Sequence, residues 1–386
     1  MNHFFSKNSK KIYLFIILLL TVGCTAELLH AASEDIPEKL LLKEYRPQSI
    51  YNIPHTNVKK ARYPAIDMHA HVYASNNEQI LEWIRLMDKV GIEKVIILTG
   101  QTGKHFDEIH KLYSRYPDRF ELWCGLDYTG YDKPGFGAAA VRELERCYKL
   151  GAQGVGELGD KGKGLFYSKP TKAWGMHLDD ARMDPILEKC AELGMPVNIH
   201  VADPRWMYEP MDEKNDGLMN AYKWRLDNQP GIISHKGMVE ILGRTAKRHP
   251  KTIFIACHFA NCSDDLGRLG KLLDIYPNLY ADISARYAET AAIPRFTGKF
   301  YWKYQDRLVY GTDMRYSEKM YKITFRILES SDEHFYAWDR FSYHWPLHGL
   351  DLDDDVLRKV YRENALRIIS NKKYGVVIPK TKTSIP

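Results

Sequence analysis

A chain of 386 residues, 45% hydrophobic and 27% charged, carries enough apolar material to offset the entropy of ordering a core, which excludes a disordered, collagen-like or fibrous protein. The net charge of +6 includes three lysines close to the N-terminus, and no basic run follows them. The balance therefore gives no electrostatic reason to expect a nucleic-acid partner.

Lys7, Lys10 and Lys11 precede the uncharged run 12–22, IYLFIILLLTV, a basic segment followed by an apolar one too short to span a bilayer easily. The pattern predicts an export signal over 1–23. Its end, Thr21-Val22-Gly23-Cys24, resembles the lipobox of bacterial lipoproteins, which implies lipidation at Cys24, a membrane tether and an exported protein in the periplasm or at the cell surface; an ordinary signal cut near Ala31-Ala32 and an uncleaved anchor are the alternatives. The other cysteines, scattered and without a Cys-x-x-Cys pair, read as small buried residues. Residues 24–64, punctuated by Pro37, Pro47, Pro54 and Pro64, read as tether and lead-in, 65–370 as the catalytic body and 371–386 as a tail.

From Ala65 onward, short apolar runs recur at 65–72, 94–100, 121–127, 154–159, 196–202, 252–260, 279–284 and 308–313. Segments with helical spacing lie between them, such as Ile80, Ile84, Met87 and Val90, and stop signals such as Gly91, Gly151 and Gly194 end several. Eight strands alternating with helices have the order and size of an α/β (β/α)8 TIM barrel; a doubly wound open sheet is the competitor.

Polar side chains with metal-ligand chemistry interrupt these runs near one end. His69 and His71 share a face of the first strand in AIDMHAHV; Glu157 follows in GVGELG, His200 in PVNIH, His258 in FIACH and Asp313 in LVYGTD. Each alone reads more readily as a hydrogen-bonded core or rim residue than as a ligand. An ion at the barrel mouth, however, repays the desolvation of all six at once. A divalent ion lowers the pKa of its bound water toward about 7, and Asp313 is placed to move that proton.

With these motifs the sequence resembles the amidohydrolase superfamily of metal-dependent hydrolases, and more closely its amidohydrolase-related branch that includes aminocarboxymuconate-semialdehyde decarboxylase. DMHAH, NIH, CH, YGTD and the closing YRENALRI of 361–368 carry the resemblance. It implies that His69, His71, His200 and Asp313 bind a first ion, and that His258 binds a second or acts on the substrate. Glu157 looks like the bridging carboxylate of TatD-type and phosphotriesterase-like members. One or two divalent ions are expected, with zinc foremost.

Arg205, Arg286 and Arg315 follow strand ends and suit an anionic substrate, or else rim salt bridges. The long stretches 160–180 and 203–235 carry Trp174, Trp206, Tyr208, Tyr222 and Trp224, suited to stacking on sugar rings or to packing among themselves. The expected substrate is a small or oligomeric, carboxylated, sugar-derived molecule hydrolysed by metal-activated water at a lactone, amide or ester. The alternatives are a lyase of the same superfamily, a dehydratase or decarboxylase acting on an acid, and a silent barrel serving as a ligand-binding lipoprotein.

Overall fold

The computed structural model describes residues 38–165 and 172–370; the segment expected to be an export signal, with Cys24, and the expected tail lie outside the described residues. The chain divides into two compact units between Pro47 and Gln48, and the described part of the first holds a 3-10 turn, Leu42–Glu44. In the second, the lead-in from 48 to 64 docks on the catalytic body: Thr56 donates its N–H and hydroxyl to Asp332, and the Ala61 N–H reaches the Val90 carbonyl at 2.9 Å.

Eight parallel strands make the barrel: β1 (Ala65–Ala70), β2 (Ile92–Leu98), β3 (Phe120–Trp123), β4 (Val155–Asp160), β5 (Val197–Val201), β6 (Phe254–Ala256), β7 (Leu279–Asp282) and β8 (Leu308–Val309). The ladder β1-β2-β3 continues into β4 through a parallel bridge from Cys124 to Val155, and β4-β5-β6-β7-β8 follows. Hydrogen bonds from Met68 N–H to the Tyr310 carbonyl (2.9 Å) and from Asp313 N–H to the His69 carbonyl (2.8 Å) bring β8 back to β1. An antiparallel hairpin, Gly164–Leu165 with Ala173–Trp174, extends β4.

Alternation along the strands sorts side chains into two apolar layers. Ile66, Met68, Ile96, Leu98, Ile255, Tyr280 and Val309 fill the interior, where Ala365 and Ile368 of the C-terminal helix join them. Asn364 fixes that helix by donating its amide to the Gln305 and Leu308 carbonyls at 2.6 and 2.8 Å. Outward-facing Val95, Val155, Val197 and Ile199 meet the helices, each full burial contributing about 1.5–3 kcal/mol. In α1 (Asn77–Val90) the buried stripe is Ile80, Trp83, Met87 and Val90; Asn76 caps its start, and Gly91 at φ 82° ends it. The five described cysteines are buried and unbridged.

Seven of the eight runs stop short of their expected ends, and two of them run on into left-handed backbone at the site. β6 ends at Ala256, and His258, Phe259, Ala260 and Asn261 form a left-handed turn with φ between 53° and 59°. β8 ends at Val309, with Asp313 at φ 50°. Non-glycine residues pay roughly 1–2 kcal/mol each for this conformation, and such strain concentrates at functional sites.

Candidate metal centre

The register of β1 against β2 shifts between Asp67 and Ala70. Asp67 bonds to the Thr312 N–H and hydroxyl at 3.0 and 2.7 Å, while His69 and His71 turn toward the residues at the other strand ends. The left-handed turn after β6 brings in His258, and the left-handed Asp313 follows β8.

One ring nitrogen of every imidazole in this group is committed to an acceptor. His69 donates from Nδ1 to Asp282 Oδ2 at 2.9 Å, His71 from Nδ1 to the Leu98 carbonyl at 2.9 Å, and His200 from Nε2 to Asp203 Oδ1 at 3.1 Å. His258 donates from Nδ1 to Ser284, 3.0 Å from its carbonyl and 2.8 Å from its hydroxyl. The remaining nitrogens converge on two carboxylates. Glu157 lies 2.8 Å from His200 Nδ1, 3.6 Å from His71 Nε2, 3.7 Å from His258 Nε2 and 3.9 Å from His69 Nε2. Asp313 lies 3.0 Å from His71, and 3.6 Å from both His69 and His258.

His69 Nε2 decides whether an ion fits here, because it is buried without any hydrogen-bond partner. Lone pairs of imidazoles facing lone pairs of carboxylates require positive charge between them, and acceptors on the far ring nitrogens are the usual outer shell of a metal-bound histidine. Among the described residues, two donor sets have all their atoms within 4.8 Å of one another: His69, His71 and Asp313, and His69, Glu157, Cys257 and His258. Cys257 was not among the sequence candidates. Burial pushes its thiol well above the usual range, and its S–H donates to Asn198 Oδ1 at 2.9 Å, so imidazoles and carboxylates are the better donors.

Electrostatics in the centre follow from the same contacts. Burial alone lowers the His69 imidazole, but Asp282, Asp313 and Glu157 outweigh it and raise the group to about 10. Burial works against Glu157 too; the hydrogen bond from His200 and the neighbouring His258 and His69 imidazoles nonetheless hold it well below the usual carboxylate range. His258, where burial dominates, is lowered. The cluster is thus anionic carboxylate balanced by whatever cation the imidazoles accept, proton or metal.

A cavity of about 250 Å³ opens on this centre, with His200, His258 and Asp313 in its wall beside Lys161, Arg286, Arg340, Trp224 and Tyr343. Of the residues expected to meet the substrate, Arg286 and Trp224 line it. Arg205 and Trp206 instead line a separate cavity of about 540 Å³ with Asp216 and Asp264. Arg205 is turned to Glu209 at 2.7 Å. Trp206 donates to Asp216 and packs beside the insertion's own small core of Met207, Ala221 and Leu226. Arg315 is exposed and not part of the cavity wall. Trp174 and Tyr222 are exposed outside it, whereas Trp224 lies under the Lys161 ammonium at 5.4 Å. Lys161, directly after β4, and Arg340, in the single-turn helix Trp338–Phe341, were not among the candidates read from the sequence.

Residues 66–370 match the family model described as amidohydrolase. The chain belongs to the amidohydrolase family. No curated protein matches the sequence significantly. Among solved structures, a Staphylococcus aureus protein assigned as an amidohydrolase is 18% identical, with 79% of this chain and 99% of that chain covered and a TM-score of 0.52. A 2,6-dihydroxybenzoate decarboxylase from Rhizobium is 15% identical, with 80% and 99% covered and a TM-score of 0.50. A dihydroxybenzoic acid decarboxylase from a Polaromonas species, solved with manganese and the inhibitor 2-nitroresorcinol, is 15% identical, with 81% and 99% covered and a TM-score of 0.50. At these identities the amidohydrolase shares their barrel fold. It is a metal-dependent enzyme, and the donors gathered around Glu157 and Asp313 suit a divalent ion.

Proposed function

We propose that this amidohydrolase is a metal-dependent lyase that removes carbon dioxide from a small acidic substrate, with the ion held by His69, His71, His200, His258, Glu157 and Asp313. The observation that carries the reading is a small, cation-bearing cavity opening directly on the donor cluster: Arg286, Arg340 and Lys161, the last ion-paired with Asp203 at 2.9 Å, share its wall with Asp313. Anionic substrate is drawn to such a wall, and its volume of about 250 Å³ is below the roughly 300–1,000 Å³ of sites for drug-sized ligands, which favours a single ring over an oligosaccharide. Barrels of the same fold include decarboxylases of dihydroxybenzoates, which supports this reaction over hydrolysis of a sugar derivative.

A bound divalent ion supplies Lewis-acid polarisation of a substrate oxygen. The protein's own part is proton movement: the Asp313 carboxylate first takes a proton from the substrate's own hydroxyl or from solvent; as the bond to the departing carboxylate breaks, its electron pair stays on the ring carbon, and that carbon takes this proton from Asp313. His71 at 3.0 Å and His258 at 3.6 Å hold Asp313 in place for this. Zinc suits the imidazole-rich donors, and manganese, the ion of the Polaromonas structure, is the second candidate.

Hydrolysis is the second reading, favoured by Glu157, whose contacts with all four imidazoles suit a carboxylate shared between two ions. Mass separates the two. Protein loaded with zinc or manganese is incubated with hydroxybenzoates, other unsaturated acids and sugar lactones; loss of carbon dioxide supports the lyase, and addition of water overturns it. We also propose that the enzyme acts outside the cytoplasm, tethered by a lipid on Cys24, as the lipobox-like TVGC motif suggests.

A further inference from the structure

Arg286 follows β7 and is 9% exposed. Nε and Nη2 both donate to Asn261 Oδ1, at 2.9 and 2.7 Å, and Nη1 donates to the Ala285 carbonyl at 3.0 Å. Asn261 is itself fully buried and fixed, donating its amide to the Val201 and Ala202 carbonyls at 2.9 and 3.2 Å. The guanidinium is therefore clamped by a neutral side chain that itself hangs from the end of β5. Its nearest carboxylate is Glu289, whose Oε1 lies 3.6 Å from Nη1, beyond hydrogen-bond reach. That oxygen already accepts the Tyr343 hydroxyl at 2.8 Å, and Tyr343 accepts in turn from Asn220 at 2.8 Å.

A buried cation ordinarily has an acid hydrogen-bonded to it, because desolvation is costly otherwise. Here the clamp fixes the position of the fork while bringing no charge of its own, and Arg286 lines the cavity that also reaches His258 and Asp313. We propose that Arg286, positioned by Asn261, is the specificity-determining anchor for a second anionic oxygen group of the substrate, remote from the group held at the metal centre. The preferred substrate is then a small acid with two oxyanions, carboxylate or phenolate. This rests on the reading of the cavity as the substrate site, but not on whether the reaction is lyase or hydrolase.

The test is binding of dianion probes to the metal-loaded full chain. Isophthalate and phthalate are titrated against benzoate by calorimetry, with metal per chain measured in every sample. Wild type should bind one of the dianions roughly tenfold or more tighter than benzoate, the range expected for hydrogen bonds to a charged group. Arg286→Gln should abolish that difference while keeping the metal, and Arg286→Lys should recover only part of it, because an ammonium lacks the fork. Glu289→Gln should keep the dianion preference. Should Arg286→Gln fail to fold, Arg286→Lys and Glu289→Gln still decide the matter. Loss of the preference in Glu289→Gln, an unchanged preference in Arg286→Lys or Arg286→Gln, or no preference in wild type overturns the anchor. If no acid loses carbon dioxide yet the dianion preference depends on Arg286, the lyase reading fails and the anchor stands; the opposite pattern removes the anchor alone.

Discussion

At Asp313, binding and proton transfer coincide in one carboxylate. Burial tends to raise its pKa, but His69 and the hydrogen bond from His71 outweigh that and hold it below the usual range. Asp313→Asn keeps an oxygen donor of nearly the same shape and removes the proton carrier. Metal content should fall only partly, while the turnover number falls by about 10²–10⁴-fold with a much smaller change in KM. Metal analysis and steady-state kinetics on one preparation check this, and near-normal turnover moves the proton role to another residue. Such residues were legible because each is an ionisable group within an apolar run: Glu157 in GVGELG and His200 in PVNIH have no reason to be there without a partner. Arg205 follows a strand end just as Arg286 does, yet it turns to Glu209, because adjacency in sequence does not say which way a long insertion folds.

The strand ends show what sequence could not give at the level of elements. Alternation predicted the inward pairing of His69 and His71, but nothing in CHFAN, which contains no glycine, announces the left-handed turn that carries His258 into the centre. Asn261, the clamp on Arg286, sits in that same turn and was equally invisible. Where glycine is present its reason is readable only in three dimensions. A Cβ on Gly311 would lie 2.8 Å from His69 Cβ and 3.2 Å from its backbone nitrogen, so the glycine of YGTD is what lets β8 close against the metal-facing end of β1. Gly311→Ala must therefore push His69 away. The expected result is a barrel with native circular dichroism, destabilised by about 1–3 kcal/mol as for other overpacked sites, and with metal affinity reduced at least tenfold. Native metal affinity in this variant would mean that β1 moves as a unit and carries His69 with it.

For the whole molecule, location and metal loading are separable. If Cys24 is the lipid attachment point, Cys24→Ser should shift the protein from the membrane fraction to the soluble fraction with activity per metal unchanged; continued membrane association would point to an uncleaved N-terminal anchor. Metal loading couples to folding through protons. The His69 imidazole rises from its usual 6.5 to about 10 in the metal-free protein, so protonation stabilises that state fully below about pH 6.5. This stabilisation is lost as pH climbs through about 10. A divalent ion takes the same lone pairs, so loading expels protons and the affinity must rise with pH. Chelator-treated protein should therefore melt at a lower temperature at pH 9 than at pH 7, whereas protein with excess zinc or manganese loses much less, and the gap between them widens toward alkaline pH. Adding metal at pH 8 in weak buffer with an indicator dye should acidify the solution. Identical melting curves with and without chelator, together with no proton release, would mean that the imidazoles around Glu157 and Asp313 hold no ion.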